Sequence, residues 1–245
     1  MKPALIGCSH GTDDPNGRAT IRALLELTAE RLPDVEVVEA FVDVQEPALP
    51  DVVAGLGSRP AVIVPLLLST GFHVEIDVRR AAGLRPGVVA APPLGPDDRI
   101  TAVLADRWRA LHTDSGAPVV LAVAGSSRAS TVPAVEAVRE RFAALTGTSP
   151  LLGYGSAVQP SVPDAVALAR GAGDAAAGPD AAVGSGADAG PVSVASYLLA
   201  PGFFHSRVLA AGADLVSGPL GVDDRIVDVI VDRYVTAAAQ LLVAA

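Results

Sequence analysis

The heptapeptide LGPDDRI at residues 94–100 recurs almost unchanged as LGVDDRI at residues 220–226. Three further correspondences follow the same order in the two halves of the chain: PALIGCSHGT (3–12) with VVLAVAGSSR (119–128), EAFVDVQEPALPDVV (39–53) with LGYGSAVQPSVPDAV (152–166), and AVIVPLLLSTGFHVEIDV (61–78) with VSVASYLLAPGFFHSRV (192–208). Repeated similarity in a fixed order indicates an internal duplication. The sequence therefore predicts two similar halves.

Each half alternates short, fully apolar runs with segments of helical periodicity. Apolar runs separated by helices are typical of parallel strands that are buried on both faces. The fold class predicted is α/β, with two doubly wound parallel-sheet lobes of flavodoxin-like topology. In the first half we expect strands near residues 4–8, 35–42, 61–68 and 87–91, and helices near 17–31, 48–56, 74–83 and 97–112.

The predicted lobes follow one another along the chain. We expect an N-terminal α/β lobe at 1–114 that carries the chemistry and a degenerate C-terminal lobe at 117–245, joined by TDSGAP at 113–118. The second half also contains an insertion at 171–190, rich in Gly, Ala and Asp. This composition favours a flexible loop.

Composition excludes several classes of protein. Half of the 245 residues are hydrophobic, so a large core is available, but the apolar runs are too short to span a membrane. The net charge of −9 argues against general binding to nucleic acid, and the single cysteine, Cys8, excludes an internal disulfide. We therefore expect a cytoplasmic globular protein.

Three polar side chains follow the predicted strands of the first half. His10 follows the first strand, Asp43 ends the second, and His73 lies shortly after the third. Ligands of open parallel sheets bind beyond the carboxyl ends of the strands, and neighbouring strands lie only about 5 Å apart. Two imidazoles and a carboxylate would suit a divalent first-row metal. The sequence predicts that these residues form one site, although His10 and Asp43 also admit purely structural roles.

The segment GCSHG at residues 7–11 also matches G-x-S-x-G, the pattern around a serine hydrolase nucleophile. In that fold the motif follows several strands, because an earlier loop supplies part of the oxyanion hole. Here it follows the first strand. We therefore expect Ser9 to cap a turn or to offer its hydroxyl to a ligand, and a hydrolase remains the less favoured alternative.

With these residues in place, the sequence resembles the sirohydrochlorin chelatases, the class II chelatases of siroheme and cobalamin biosynthesis. The resemblance is carried by SHGT (9–12), FVDVQEP (41–47), AVIVPLLL with GFHVEID (61–77), and the duplication. It implies a chelatase-like fold and a metal chelatase of the lyase class. Such an enzyme inserts Fe²⁺ or Co²⁺ into sirohydrochlorin, an octacarboxylic tetrapyrrole, in a cleft between two lobes.

The resemblance also implies roles for individual residues. His10 and His73 correspond to the family's two active-site histidines, as metal ligands and proton acceptors, while Asp43 replaces a glutamate that many members carry. We expect Ser9, Gly11 and Thr12 to contact the substrate, with the amides at the Gly11–Thr12 helix entry receiving its carboxylates. Glu75 and Asp77 are secondary candidates. The metal is a substrate, and no organic cofactor is expected.

The second half is expected to lack this chemistry. Ala124 stands where the repeat would place the first histidine, and His205 lies near the position of the second. Aligning Gly71 with Gly202 instead places Phe204 opposite His73. Half-length relatives work as homodimers, so the duplication implies a monomer with two pseudo-symmetric lobes. A tetrapyrrole or metal carrier without catalytic activity is the alternative within the same binding class.

Overall fold

The fold is that of a computed structural model, which describes residues 2–69, 72–112, 116–125, 131–156, 158–176 and 190–243. The side chains of 72–75, 172–176 and 242–243 lie outside this description. In the described part, no helix is both long enough and apolar enough to cross a lipid bilayer.

Strands and helices alternate throughout the chain. The elements of the first half are β1 (Ala4–Ser9), α1 (Pro15–Arg31), β2 (Val37–Phe41), α2 (Leu49–Gly55), β3 (Ala61–Pro65), α3 (Phe72–Ala82), β4 (Val88–Ala90) and α4 (Asp98–Arg109). The second half contains β5 (Val119–Val123), α5 (Val132–Thr146), β6 (Leu151–Tyr154), α6 (Val162–Ala176), β7 (Ser193–Tyr197), α7 (Phe203–Leu209), β8 (Leu215–Val216) and α8 (Asp224–Val243).

The strands form two parallel sheets of four strands each, in the orders β2-β1-β3-β4 and β6-β5-β7-β8. The predicted doubly wound fold is therefore confirmed. The first strand of each repeat is central, with every residue buried, as the unbroken apolar runs predict. This order places the carboxyl ends of β1, β2 and β3 at one edge of the first sheet.

The compact units do not coincide with the sequence halves. One unit comprises residues 1–99 and 222–245, and the other comprises residues 100–221. Each half thus gives its last helix, α4 or α8, to the unit that contains the other half's sheet. The lobes expected at 1–114 and 117–245 differ from these units because the duplication marks where the sequence repeats and does not specify which sheet the last helix covers.

Specific contacts hold the exchanged helices. In the second unit, Trp108 of α4 donates from Nε1 to Ser193 Oγ at 2.9 Å, and its ring meets Phe142 edge-on with 5.7 Å between centroids. In the first unit, Tyr234 of α8 donates its hydroxyl to the Pro3 carbonyl at 2.7 Å. The side chains that make these contacts are all buried: Trp108, Phe142, Ser193 and Tyr234. The exchanged helices therefore complete the two cores.

The repeated DDRI motif starts both of these helices. Asp97 Oδ1 accepts hydrogen bonds from the Arg99 backbone N–H and from Arg99 Nε, both at 3.0 Å. Asp223 and Arg225 repeat the arrangement at 3.1 and 2.9 Å. Burial acts to raise the pKa of Asp97, but the bonds from Arg99 hold it below its usual value. The clearest sequence repeat is thus a helix start and carries no chemistry of its own.

The insertion predicted at 171–190 is helical at its beginning, because α6 continues to Ala176. The prediction of a loop is therefore wrong for residues 171–176. The remainder, residues 177–189, lies outside the described residues, so the flexible-loop interpretation stays a prediction for that segment.

The helix exchange predicts that neither half of the sequence folds well when it is expressed alone. A fragment of residues 1–114 lacks α8, which packs on β3 and β4 of its sheet, so we expect it to aggregate or remain unfolded when expressed alone. Co-expression with residues 115–245 should restore a soluble complex. Circular dichroism and sedimentation would check both outcomes. A monomeric 1–114 fragment with a cooperative thermal transition would contradict the exchange.

Candidate functional site

The loops that follow β1 and β2 are joined at the carboxyl edge of the first sheet. The Val42 N–H donates to the Ser9 carbonyl at 2.9 Å, and the Asp43 N–H donates to the His10 carbonyl at 3.1 Å. These bonds continue the strand pairing past the ends of the strands and hold the backbones of His10 and Asp43 side by side. Both residues are exposed. The predicted proximity of these two residues is thus present along the backbone.

A glycine permits this close approach. Gly11 has a φ of +93°, and a Cβ at this position would lie 2.3 Å from the Asp43 carbonyl oxygen. The second repeat uses the same device, because Gly125 has a φ of +86° and its Cβ would lie 2.2 Å from the Ser156 carbonyl oxygen. Neither the left-handed backbone nor the contact distance suits a side chain. Gly11 therefore has a positioning role that requires no ligand.

The carboxylate of Asp43 turns back on its own loop. Its Oδ1 accepts a hydrogen bond from the Val44 N–H at 2.8 Å, where Val44 adopts a φ of +63°. A non-glycine residue with positive φ is uncommon, and this bond stabilises the turn. A structural role for Asp43, the alternative that its sequence position left open, is therefore present as a turn cap, while a role in chemistry stays a prediction.

Two side chains that the sequence analysis missed support the His10 loop. Gln45 accepts a hydrogen bond at Oε1 from the Thr12 N–H at 2.9 Å, and Arg18 Nε donates to the Thr12 carbonyl at 2.8 Å. Comparing the two repeats does not point to Gln45, because the equivalent position in the second repeat holds Val158. The loop is thus held from both sides.

Helix α1 begins later than the Gly11–Thr12 entry proposed from the sequence. Its first residue is Pro15, and its N-cap is Asp14, which accepts hydrogen bonds from the Asn16 and Gly17 N–H groups. Thr12 N–H is already engaged by Gln45. The Thr12 amide, one of the two expected to receive substrate carboxylates, therefore bonds within the chain, and Ser9 does not cap this helix.

Ser9 and Cys8 lie within the strand, where both are buried. Ser9 Oγ has no hydrogen-bond partner among the described residues, and its side chain is only 5% exposed. A nucleophile needs access to substrate and a neighbouring base, so this burial argues against the hydrolase alternative. Burial also raises the pKa of the Cys8 thiol to about 12, which leaves the thiol protonated at neutral pH.

His73 is the second residue of α3, which follows β3. The pairing of Cys8 with Pro65, and a hydrogen bond of 2.7 Å from Leu66 N–H to the Cys8 carbonyl, place the end of β3 at the same sheet edge as His10. The side chains of His73 and Glu75 lie outside the described part. Among the side chains that are described, no three His, Cys, Asp or Glu residues are grouped closely enough to hold a metal ion.

The second repeat carries different side chains at the positions that correspond to His10 and His73. The pairing of β1 with β3 and of β5 with β7 aligns Ser9 with Val123 and Pro65 with Ser196, which places Ala124 opposite His10. His73 and Phe204 are each the second residue of the helix that follows, α3 and α7. His205 is half-buried, with Nε2 3.5 Å from the Ser217 carbonyl oxygen. The ring thus lies against the backbone that follows β8.

The two sheets and the edge that carries His10 define a class of protein. The backbone is similar to SirB from Bacillus subtilis, solved with Fe³⁺, with a TM-score of 0.75 over 98% of this chain and 96% of that chain at 18% identity. A second SirB structure, from Bacillus subtilis subspecies spizizenii in complex with cobalt, gives a TM-score of 0.70 over the same shares at 16% identity. The class is a two-repeat α/β protein with the fold of the chelatases.

The sequence specifies the family more closely. The CbiX family model matches residues 4–111. A sirohydrochlorin cobaltochelatase of Methanopyrus kandleri is 28% identical over 134 residues, covering 42% of this chain and 93% of that protein. One from Methanothermobacter thermautotrophicus is 24% identical over 127 residues, covering 42% of this chain and 87% of that protein. These matches confirm the resemblance to the sirohydrochlorin chelatases, and the match to the CbiX family model lies within the first repeat.

Substituting the two equivalent glycines separates positioning from folding. Gly11→Ala and Gly125→Ala should each lower the free energy of unfolding by ~1–3 kcal/mol, because each forces a Cβ against a carbonyl in a left-handed conformation. Only Gly11→Ala should also impair the activity proposed below, since only that loop carries His10. Urea unfolding and activity per folded molecule would check this. Equal activity losses in the two variants would contradict a site confined to the first repeat.

Proposed function

We propose that this protein is a sirohydrochlorin chelatase that inserts Fe²⁺ or Co²⁺ into sirohydrochlorin. The observation that carries the proposal is an exposed histidine at the carboxyl end of the central strand, inside the segment that matches the CbiX family. The joined loops hold Asp43 beside it, and β3 ends at the same edge before the helix that contains His73. The names of the relatives support the substrate class.

The reaction requires groups that both hold a cation and accept protons. Insertion replaces the two N–H protons of the macrocycle by one divalent cation, so two protons must leave as the metal enters. A neutral imidazole can bind a metal through a ring nitrogen, and its unperturbed pKa lies near neutral pH. We assign His10 and His73 to these tasks. Asp43, on the neighbouring loop, assists by accepting a proton or by attracting the hydrated cation.

Substituting the histidines tests the proposal. His10→Ala and His73→Ala should each reduce the rate of insertion by roughly 10² to 10⁴, the usual contribution of a positioned general base. His205→Ala is the matched control and should retain most of the rate, because its ring contacts a backbone carbonyl in the other repeat. The measurement is the initial change in sirohydrochlorin absorbance under anaerobic conditions with saturating Fe²⁺ or Co²⁺.

Three results would overturn the proposal or its assignments. A wild-type rate equal to the spontaneous rate, with sirohydrochlorin bound, would favour the carrier alternative. A loss in His205→Ala as large as that in His73→Ala would place chemistry in the second repeat. Ser9→Ala should change the insertion rate little, because the buried hydroxyl bonds to no described group. A loss of rate equal to that of His10→Ala would instead assign Ser9 to the site.

Asp43 combines a turn contact with a proposed role in the reaction, and one substitution separates these roles. Asp43→Asn keeps an oxygen that can accept from Val44 N–H but removes the charge. We expect insertion to slow by roughly tenfold or more while the melting temperature changes by only a few degrees. Circular dichroism and the insertion rate per folded molecule would check this. Unchanged turnover with a lower melting temperature would restrict Asp43 to capping the turn.

A further inference from the structure

Helix α7 presents large apolar side chains to solvent at the carboxyl end of β7. Phe203 is 69% exposed and Leu209 is 56% exposed, although this unit has an extensive core. Most exposed apolar residues of a folded protein are scattered singly and need no explanation. Here the exposed Phe203 ring contacts a second aromatic ring and a guanidinium cation.

Three side chains of α7 form this group, which we call the Phe203 patch: Phe203, Phe204 and Arg207. The two rings meet edge to face, with 5.5 Å between centroids and 74° between planes. The Arg207 guanidinium carbon lies 5.6 Å from the centroid of the Phe203 ring. Edge-to-face aromatic pairs and cation–π contacts are favourable arrangements. The patch is therefore internally ordered while Phe203 and Arg207 stay accessible.

The fold fixes the base of the patch. Phe204 lies over Gly155, where a Cβ would approach Phe204 Cδ1 to 2.9 Å. Gly155 follows β6, and its N–H donates to the Val123 carbonyl at 2.8 Å, as Val42 does to Ser9 in the first repeat. Phe204 is thus seated on the joined loops of the second repeat, at the position that the first repeat gives to His73.

A flat conjugated anion has the chemistry that this patch would recognise. An exposed aromatic face offers stacking area, and the adjacent guanidinium offers paired N–H donors for a carboxylate. The protein carries a net charge of −9, so an anionic ligand must be met by local cations of this kind. Sirohydrochlorin combines a large conjugated ring with eight carboxylates, and both features match the patch.

We infer that the Phe203 patch binds the macrocycle of sirohydrochlorin, with Phe203 against the ring and Arg207 on a peripheral carboxylate. This inference rests on the proposed function for the identity of the ligand. It assigns the second repeat a role in binding the substrate, in which Phe204, the counterpart of His73, supports the Phe203 ring. Neither residue is assigned to proton transfer or to metal binding.

Binding of metal-free sirohydrochlorin to the whole protein tests the inference without requiring catalysis. Phe203→Ala should raise the Kd roughly tenfold through lost stacking, and Arg207→Gln roughly fivefold through a lost charge-assisted contact. The Arg207→Gln effect should shrink as salt is raised, whereas that of Phe203→Ala should not. Leu168→Ala is the matched control, because Leu168 is 59% exposed on another helix of the same unit.

The outcomes distinguish the inference from the proposed function. Wild-type metal insertion together with unchanged Kd values in both variants would overturn the patch and leave the chelatase proposal intact. Weaker binding in both variants without any wild-type insertion would support the patch and overturn the chelatase. Absence of wild-type binding would overturn both. Concentration-dependent self-association that Phe203→Ala abolishes, with Kd unchanged, would assign the patch to a second copy of the chain.

Discussion

The approach of Gly11 to the Asp43 carbonyl oxygen governs the geometry of the candidate site in the first repeat. The contact is possible only without a Cβ and only with a left-handed backbone. It extends the pairing of β1 and β2 beyond their last residues, and Gln45 and Arg18 then fix the loop that carries His10. The second repeat preserves the contact at Gly125 and Ser156, so the backbone device is independent of the chemistry placed on it.

Duplication followed by divergence explains how the two repeats differ. The same loop positions carry His10 and Asp43 in one repeat and Ala124 and Ser156 in the other, where Ser156 Oγ donates to the Ala124 carbonyl at 3.1 Å. The second repeat thus has neither the imidazole nor the carboxylate that the first repeat carries at these positions. The exchange of α4 and α8 makes each compact unit depend on both halves of the sequence.

The sheets and their order could be predicted because apolar runs, helical periodicity and the internal repeat all indicate the same doubly wound fold. The exchange of the last helices could not, since the patterns of α4 and α8 do not indicate which sheet each helix covers. At the candidate site, the proximity of His10 and Asp43 followed from strand order. The bonds of Gln45 to Thr12 and of Asp43 to Val44 depend on loop conformations that have no periodic sequence signal.

The central claim is that metal chemistry is confined to the first repeat. Anaerobic titration of the wild-type protein with Co²⁺, followed by the visible absorption of the bound ion, tests this most directly. One equivalent should bind, with a spectrum that changes when His10 is replaced by alanine and persists when His205 is replaced by alanine. Two equivalents, or a spectrum that His10→Ala leaves unaltered, would contradict a site built on the first repeat alone.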